Sequence, residues 1–262
     1  MGIDFKGKKI LVGAATNGIG LATAKLFAGH GARITIIGRN KNKLTATVKL
    51  LKQINGLQHD YIEVDFEHTG EIQKKLSDYL QHNQGFDVVV NNVGGPYPKK
   101  ISSITIDDLL KYYKIQFLSL FVITGLTLNY MKKRKSGRII NIVGTVVKHV
   151  IPDLAISVGK SNIVYWAKNL SEEVGKYNIT VNNIFPGPTD TNELNKILKY
   201  YAGKEHKSVE EVYKEVAETT ALKRIAKPEE IARMVLITAS DYASYVTGSN
   251  IFVDGGYSKS IY

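Results

Sequence analysis

Apolar residues recur along the chain in two alternating rhythms. Short unbroken runs (Ile10-Leu11-Val12, Ile34-Thr35-Ile36-Ile37, Val88-Val89-Val90, Ile139-Ile140-Asn141-Ile142-Val143) are followed by longer stretches with apolar positions at helical spacing. A short apolar run bounded by turn residues predicts a buried strand, and apolar residues three or four apart predict a helix packed on it. The first strand, starting at Ile10, breaks at glycine in Gly13-Ala14-Ala15-Thr16-Asn17-Gly18-Ile19-Gly20 and continues as a helix carrying Leu21, Ala24, Leu26 and Phe27. Further strands are expected at Arg33–Gly38, Asp60–Val64, Asp87–Val90, Arg138–Val143, Thr180–Ile184 and Ile251–Val253. Helices are expected at about 41–54, between the third and fourth strands, at about 105–131, at about 153–176, and from Pro228 onward, where a first-turn proline forfeits no hydrogen bond. Strands alternating with helices argue for parallel pairing by right-handed crossovers, with ligands beyond the carboxyl ends of the strands.

The glycine turn is the first place where this pattern implies chemistry. Free N–H groups at a helix start, with the partial positive charge of the helix dipole, make a seat for phosphate, although the same spacing also occurs where backbones merely pack closely. The second strand delivers Arg39 to its carboxyl end. A carboxylate there would hold a ribose 2′-hydroxyl, whereas arginine accepts a 2′-phosphate, so Gly38-Arg39-Asn40 favours NADP(H) over NAD(H).

Composition narrows the function classes. The chain of 262 residues suits one α/β domain. It has no cysteine, which excludes disulfides, thiolate zinc sites and cysteine nucleophiles, and no metal site is expected. No segment is expected to span a membrane, no signal peptide is evident, and a cytoplasmic location is expected. The net charge of +11 is spread over helix-like stretches, with one dense cluster at Lys132-Lys133-Arg134-Lys135, so no nucleic-acid partner is expected.

Several separate motifs, in order, resemble the short-chain dehydrogenase/reductase family over nearly the whole length. They are Gly18-Ile19-Gly20, Asp65-Phe66, Asn91-Asn92-Val93-Gly94, Pro186-Gly187 with Thr191, and Val246-Thr247-Gly248 with Val253-Asp254-Gly255-Gly256. The resemblance implies a single-domain Rossmann fold over residues 1–262, a doubly wound parallel sheet of about seven strands with helices on both faces. Residues 191–221 are expected to be a helical, mobile segment covering the substrate. It also implies that Gly13 and Thr16, Asn17, Gly18, Ile19 and Gly20 hold the diphosphate side of the cofactor. Asp65 and Phe66 would border the adenine, Asn92, Val93 and Gly94 the adenosine ribose, and Pro186, Gly187 and Thr191 the nicotinamide amide and diphosphate. Ala14 departs from this pattern, placing a methyl where backbone usually approaches the cofactor.

The catalytic half departs further. The family joins asparagine, serine, tyrosine and lysine in one site, where the ammonium makes a phenol of pKa about 10 usable near neutral pH. The lysine aligns with Lys160. The tyrosine's place, four residues earlier, holds Ile156, the serine's falls at Val143 or Gly144, and the asparagine's falls at Gln116. Ser157, Thr145, Lys148, His149 and Tyr97 are candidate replacements near the same rim, and each is equally readable as an ordinary capping or rim residue. Lys160, Ser157 and Gln116 are the expected catalytic set. The resemblance is to 3-oxoacyl-carrier-protein reductases with an altered catalytic set, implying a small-molecule carbonyl or hydroxyl substrate and a homodimer or homotetramer. Two readings stay open: an NADP(H)-dependent reductase with a replacement proton donor, or a nucleotide-binding or scaffold protein that has lost catalysis.

Overall fold

The computed structural model describes residues 2–259 except 96, 149–150, 152 and 155–156. Seven strands form one parallel sheet in the order β3-β2-β1-β4-β5-β6-β7. They are β1 (Lys9–Gly13), β2 (Arg33–Gly38), β3 (Asp60–Glu63), β4 (Val88–Asn91), β5 (Gly137–Ile142), β6 (Ile179–Pro186) and β7 (Asn250–Val253). The continuous apolar runs follow from this arrangement, because a parallel strand covered on both faces has no polar side. Alternate residues serve opposite cores. Leu11, Val89, Ile139 and Val181 face a cluster with α3 (Thr69–His82), α5 (Ser119–Arg134) and α6 (Val158–Val174). Ile10, Val12, Val88, Val90 and Ile140 face a second cluster with α1 (Gly18–Gly29), α2 (Lys41–Asn55) and α9 (Pro228–Ala239).

The expected doubly wound sheet with helices on both faces is therefore the observed fold. Strand order reverses between β1 and β4, which puts the glycine turn and the Asn92 loop on either side of the switch point, where α/β sheets open their ligand crevice.

Three elements differ from the sequence expectation. The helix expected at 105–131 is divided: α4 (Ile106–Tyr113) passes through a π-helical turn at Lys114–Leu118 before α5 continues to Arg134. One inserted residue leaves the apolar spacing almost unchanged, so the pattern does not reveal it. By length and composition this stretch, Ile106–Arg134, is also long and apolar enough to cross a membrane, contrary to the expectation, although here its inner residues Leu120, Ile123 and Met131 belong to the sheet core. The helix expected from Asp153 begins at Val158; Asp153 itself stands at φ +60, a left-handed conformation that cannot enter a right-handed helix. Residues 191–221 form two helices, α7 (Asn192–Glu205) and α8 (Val209–Thr219), separated at His206 (φ +55) and restarted by a Ser208–Glu211 capping box. Leu198, Ala202 and Val212 of this pair make a small core of their own.

The carboxyl-half strands are tied by a polar ladder inside the sheet. Asn91 Nδ2 donates to Asn141 Oδ1 at 2.9 Å, Asn141 Nδ2 to Asn183 Oδ1 at 2.8 Å, and Asn183 Nδ2 to Asn250 Oδ1 at 2.8 Å. Asn141 is fully buried, so its amide must be paired there or be destabilising. Asn141→Ala strands the Asn183 acceptor and removes one partner of Asn91. We expect it to lower stability by about 2 kcal/mol, read as a drop in the urea midpoint at unchanged slope. An unaltered midpoint would show that the ladder contributes nothing.

Candidate active site at the carboxyl rim of the sheet

The rim begins where β1 meets the loop after β4. A β-carbon at Gly13 would lie 2.3 Å from the Asn92 carbonyl oxygen, and one at Gly20 would lie 2.6 Å from the Ala14 carbonyl oxygen and 2.8 Å from Asn92 Nδ2. Asn92 Nδ2 donates to the Gly13 carbonyl at 3.0 Å, locking the two segments together. Both glycines are therefore required by protein packing. Gly18 differs: it takes φ +52 at the start of α1, and Thr191, the N-cap of α7, stands beside it, Cγ2 lying 3.1 Å from where its β-carbon would be. The first turn of α1 has no acidic residue and its N-cap, Asn17, makes no side-chain capping bond. Thr16, Asn17, Gly18, Ile19 and Gly20 thus frame a helix start with no acidic residue in its first turn and no side-chain cap from Asn17, a cradle suited to phosphate.

Ala14 sits at φ +44, a conformation that costs a non-glycine residue roughly 1 kcal/mol or more. Its N–H donates to the Ile37 carbonyl at 2.9 Å and its methyl packs at the edge of the core, so the substituted turn closes without a glycine.

Arg39 and Asp65, from the ends of β2 and β3, stand together: the Arg39 guanidinium lies 3.6 Å from the Asp65 carboxylate. Arg39 is 77% exposed, so this pair is worth at most about 1 kcal/mol and leaves the guanidinium free to turn to a stronger anion. Phe66 is buried beside Asp65, and Val93 is buried after Asn92, whereas a β-carbon at Gly94 would meet nothing. Pro186 ends β6, and Gly187 packs on Asp254 of the loop after β7, where a β-carbon would lie 2.7 Å from Asp254 Cα. The sequence-predicted cofactor residues therefore share one rim, from Arg39 and Asp65 on the β2–β3 side to Pro186, Gly187 and Thr191 on the β6 side.

Gln116, Lys160 and Ser157 stand on or beside the first turn of α6. Gln116 lies in the π-helical turn, fully buried, and neither its Oε1 nor its Nε2 has a hydrogen-bond partner among the described residues. A β-carbon at Gly159 would come 3.1 Å from Gln116 Oε1, which places the carboxamide against the first turn of α6. The next residue, Lys160, sends its ammonium toward Gly144 at the end of β5, 3.8 Å from where a β-carbon would stand there. Burial pushes the Lys160 pKa down to about 8, opposed by the nearby carboxylate of Glu193 on α7. Ser157 is buried at the N-cap of α6 and makes no capping bond, so the capping role considered for it is not what it performs. Thr145 is buried in the 3₁₀ turn after Gly144, and Tyr97 is 60% exposed. Ile156 and His149 lie outside the described residues.

Two residues absent from the sequence reading complete the rim. Glu193 Oε2 lies 3.9 Å from where a β-carbon of Gly95 would stand, so the first turn of α7 reaches across to the β4 loop. Asp153 joins three segments: its carboxylate accepts from Tyr200 and Lys204 of α7, and its carbonyl accepts from the Lys99 N–H. The Lys204 ammonium holds the Asp153 carboxyl below the usual carboxylate range. Asp153 is 47 and 51 residues away from these two partners, and no local pattern announces such contacts.

Comparison with known proteins agrees with this geometry. Residues 13–258 match a family model described as enoyl-(acyl carrier protein) reductase. The 3-oxoacyl-[acyl-carrier-protein] reductase of Chlamydia trachomatis is 31% identical over 250 residues, covering 95% of this chain and 96% of the relative. Among solved structures, L-sorbose reductase from Gluconobacter frateurii, complexed with NADPH and L-sorbose, superposes with a TM-score of 0.93 at 28% identity over 100% of both chains. An actinorhodin polyketide ketoreductase with NADPH gives a TM-score of 0.90 at 28% identity, covering 97% of this chain and 98% of that one. With its parallel sheet, glycine turn and rim lysine in the order its motifs predict, the chain belongs to the short-chain dehydrogenase/reductase family and is similar to its 3-oxoacyl-carrier-protein reductases.

Proposed function

We propose that this protein is an NADP(H)-dependent oxidoreductase acting on a carbonyl group, or the corresponding alcohol, of a small molecule. The observation that carries the reading is the rim itself: a helix start with no acidic residue in its first turn, an exposed arginine where a carboxylate would select NAD(H), and a lysine whose pKa burial lowers stand along one edge of the sheet. Thr16 to Gly20 would hold the diphosphate, Arg39 the 2′-phosphate, Asp65 and Phe66 the adenine, and Asn92 to Gly94 the adenosine ribose. Pro186, Gly187 and Thr191 would hold the nicotinamide end, and Lys160 its ribose. When bound, such a cofactor supplies or accepts a hydride. The protein's part would be to orient the reacting carbonyl and move a proton, and Gln116, Ser157 and Lys160 are the polar groups we assign to it. NADPH in the sorbose reductase and ketoreductase complexes supports the choice of cofactor.

The α7–α8 segment fits a cover for the substrate side, tethered through Asp153. Homodimer or homotetramer formation is supported by exposed aromatic residues on two faces: Phe121 and Tyr165 on α5 and α6, and Tyr242, Tyr245 and Phe252 at the β7 edge. A second reading, a nucleotide-binding or scaffold protein without catalysis, is favoured by Ile156 at the place of the family's tyrosine and Val143 or Gly144 at that of its serine. The two readings part on turnover of a panel of ketones and oxoacyl thioesters with NADPH, measured for the unaltered protein.

Two outcomes follow for the site as drawn. Arg39→Ala should weaken NADPH binding at least about tenfold in calorimetric titration while leaving NADH binding nearly unchanged, since a charge-assisted contact contributes about 1.5–3 kcal/mol. Equal losses for both cofactors would refute the 2′-phosphate assignment. Asp153→Ala should speed amide hydrogen exchange across α7 and raise KM more than it lowers kcat; unchanged exchange would show that the Asp153 contacts do not hold the segment.

A further inference from the structure

Carbonyl reduction needs a proton as well as a hydride, and the sequence puts an aliphatic isoleucine where the family keeps its phenol. The rim offers another source. The Lys160 ammonium faces Gly144 just after β5, 3.8 Å from where a β-carbon would stand there, and the Val146 side chain lies 4.0 Å from the same point. The Gln116 carboxamide, packed against the preceding residue Gly159, is fully buried, with both polar atoms unpaired among the described residues, as expected of a group that meets a polar ligand. We infer that Lys160 is itself the proton donor of the proposed reduction, passing an Nζ proton directly to the oxygen of the substrate carbonyl. This rests on the reductase reading.

The step balances. A hydride from a reduced nicotinamide forms the new C–H bond, and the C=O π pair moves to oxygen. As the O–H bond forms, an Nζ–H bond breaks. The products are an alcohol, the oxidised nicotinamide and a neutral Lys160 amine, which regains its proton from water. An ordinary lysine, with a pKa of about 10.4, is a weak acid for this purpose. Dehydration brings Lys160 down to about 8, so it remains mostly charged at neutral pH yet releases a proton more readily. The charged group facing it is Glu193, from the first turn of α7, which favours the ammonium. Gly144 on the β5 side and Gln116 from the π-helical turn are uncharged. Glu193 therefore couples the position of α7 to the acidity of the donor: moving it away lowers the pKa further.

The sign of the pH dependence is fixed. The acid form exists below the Lys160 pKa, so reduction is sustained there and is lost as pH rises through about 8, while alcohol oxidation, which needs the free amine, rises over the same range. The test is the kcat of the unaltered protein with NADPH and the carbonyl panel from about pH 6 to about pH 9.5, in water and in deuterium oxide, beside Lys160→Arg. We expect kcat to fall as pH passes about 8, with a normal solvent isotope effect. Lys160→Arg keeps the charge but holds its proton too tightly. It should bind NADPH within about tenfold of the unaltered protein by calorimetry, yet lose about 10²- to 10⁴-fold in kcat. Turnover with no fall in kcat across the range, or retained in Lys160→Arg, would overturn the donor assignment while leaving the reductase reading intact. Absence of NADPH binding, or of turnover with every carbonyl, would overturn both.

Discussion

Two backbone segments cross at the middle of the sheet with no room for a side chain between them. Gly13 lies against the Asn92 backbone, Gly20 lies against Ala14 and the Asn92 amide, and Asn92 closes the contact by donating to the Gly13 carbonyl. Overpacking of even one methyl in such a place costs about 1–3 kcal/mol, and here the obstacle is backbone, which cannot rotate away. Everything at the rim takes its position from this crossing. It fixes where α1 begins, and therefore where the helix dipole points. It also fixes how closely the β1 and β4 loops approach across the switch point, and the left-handed Ala14 is the residue that bears the strain of the turn.

The sheet was readable because its strands are buried on both faces, and chemistry that permits only apolar residues leaves an unbroken run. The positions of Arg39, Asp65 and Asn92 at the rim were readable for a related reason: each stands one or two residues beyond the end of a strand, so sequence position nearly equals spatial position. Elsewhere that equivalence fails. The π-helical turn around Gln116 adds one residue and disturbs no pattern, and the left-handed conformation of Asp153 is hidden because aspartate also starts helices. Glu193 and the partners of Asp153 were invisible because their contacts span tens of residues, and surface lysines and tyrosines look alike whether or not they are paired.

Charge is distributed with a purpose that the net value of +11 conceals. Many lysines are committed to local carboxylates, as in Lys75–Glu71, Lys132–Glu173 and Lys207–Glu215. Exposed pairs of this kind are each worth little. Lys160 is the contrasting case, a cation held in dehydrated surroundings, where each neighbouring charge and each water excluded shifts its balance between two protonation states.

The miniature core shared by α7 and α8 has an evolutionary consequence. Leu198, Ala202 and Val212 stabilise that pair internally, apart from the two clusters that build the sheet. Residues on the side of the pair facing the rim can therefore drift without weakening the frame that holds the strands. The stability of the sheet is thus set independently of that of the α7–α8 pair.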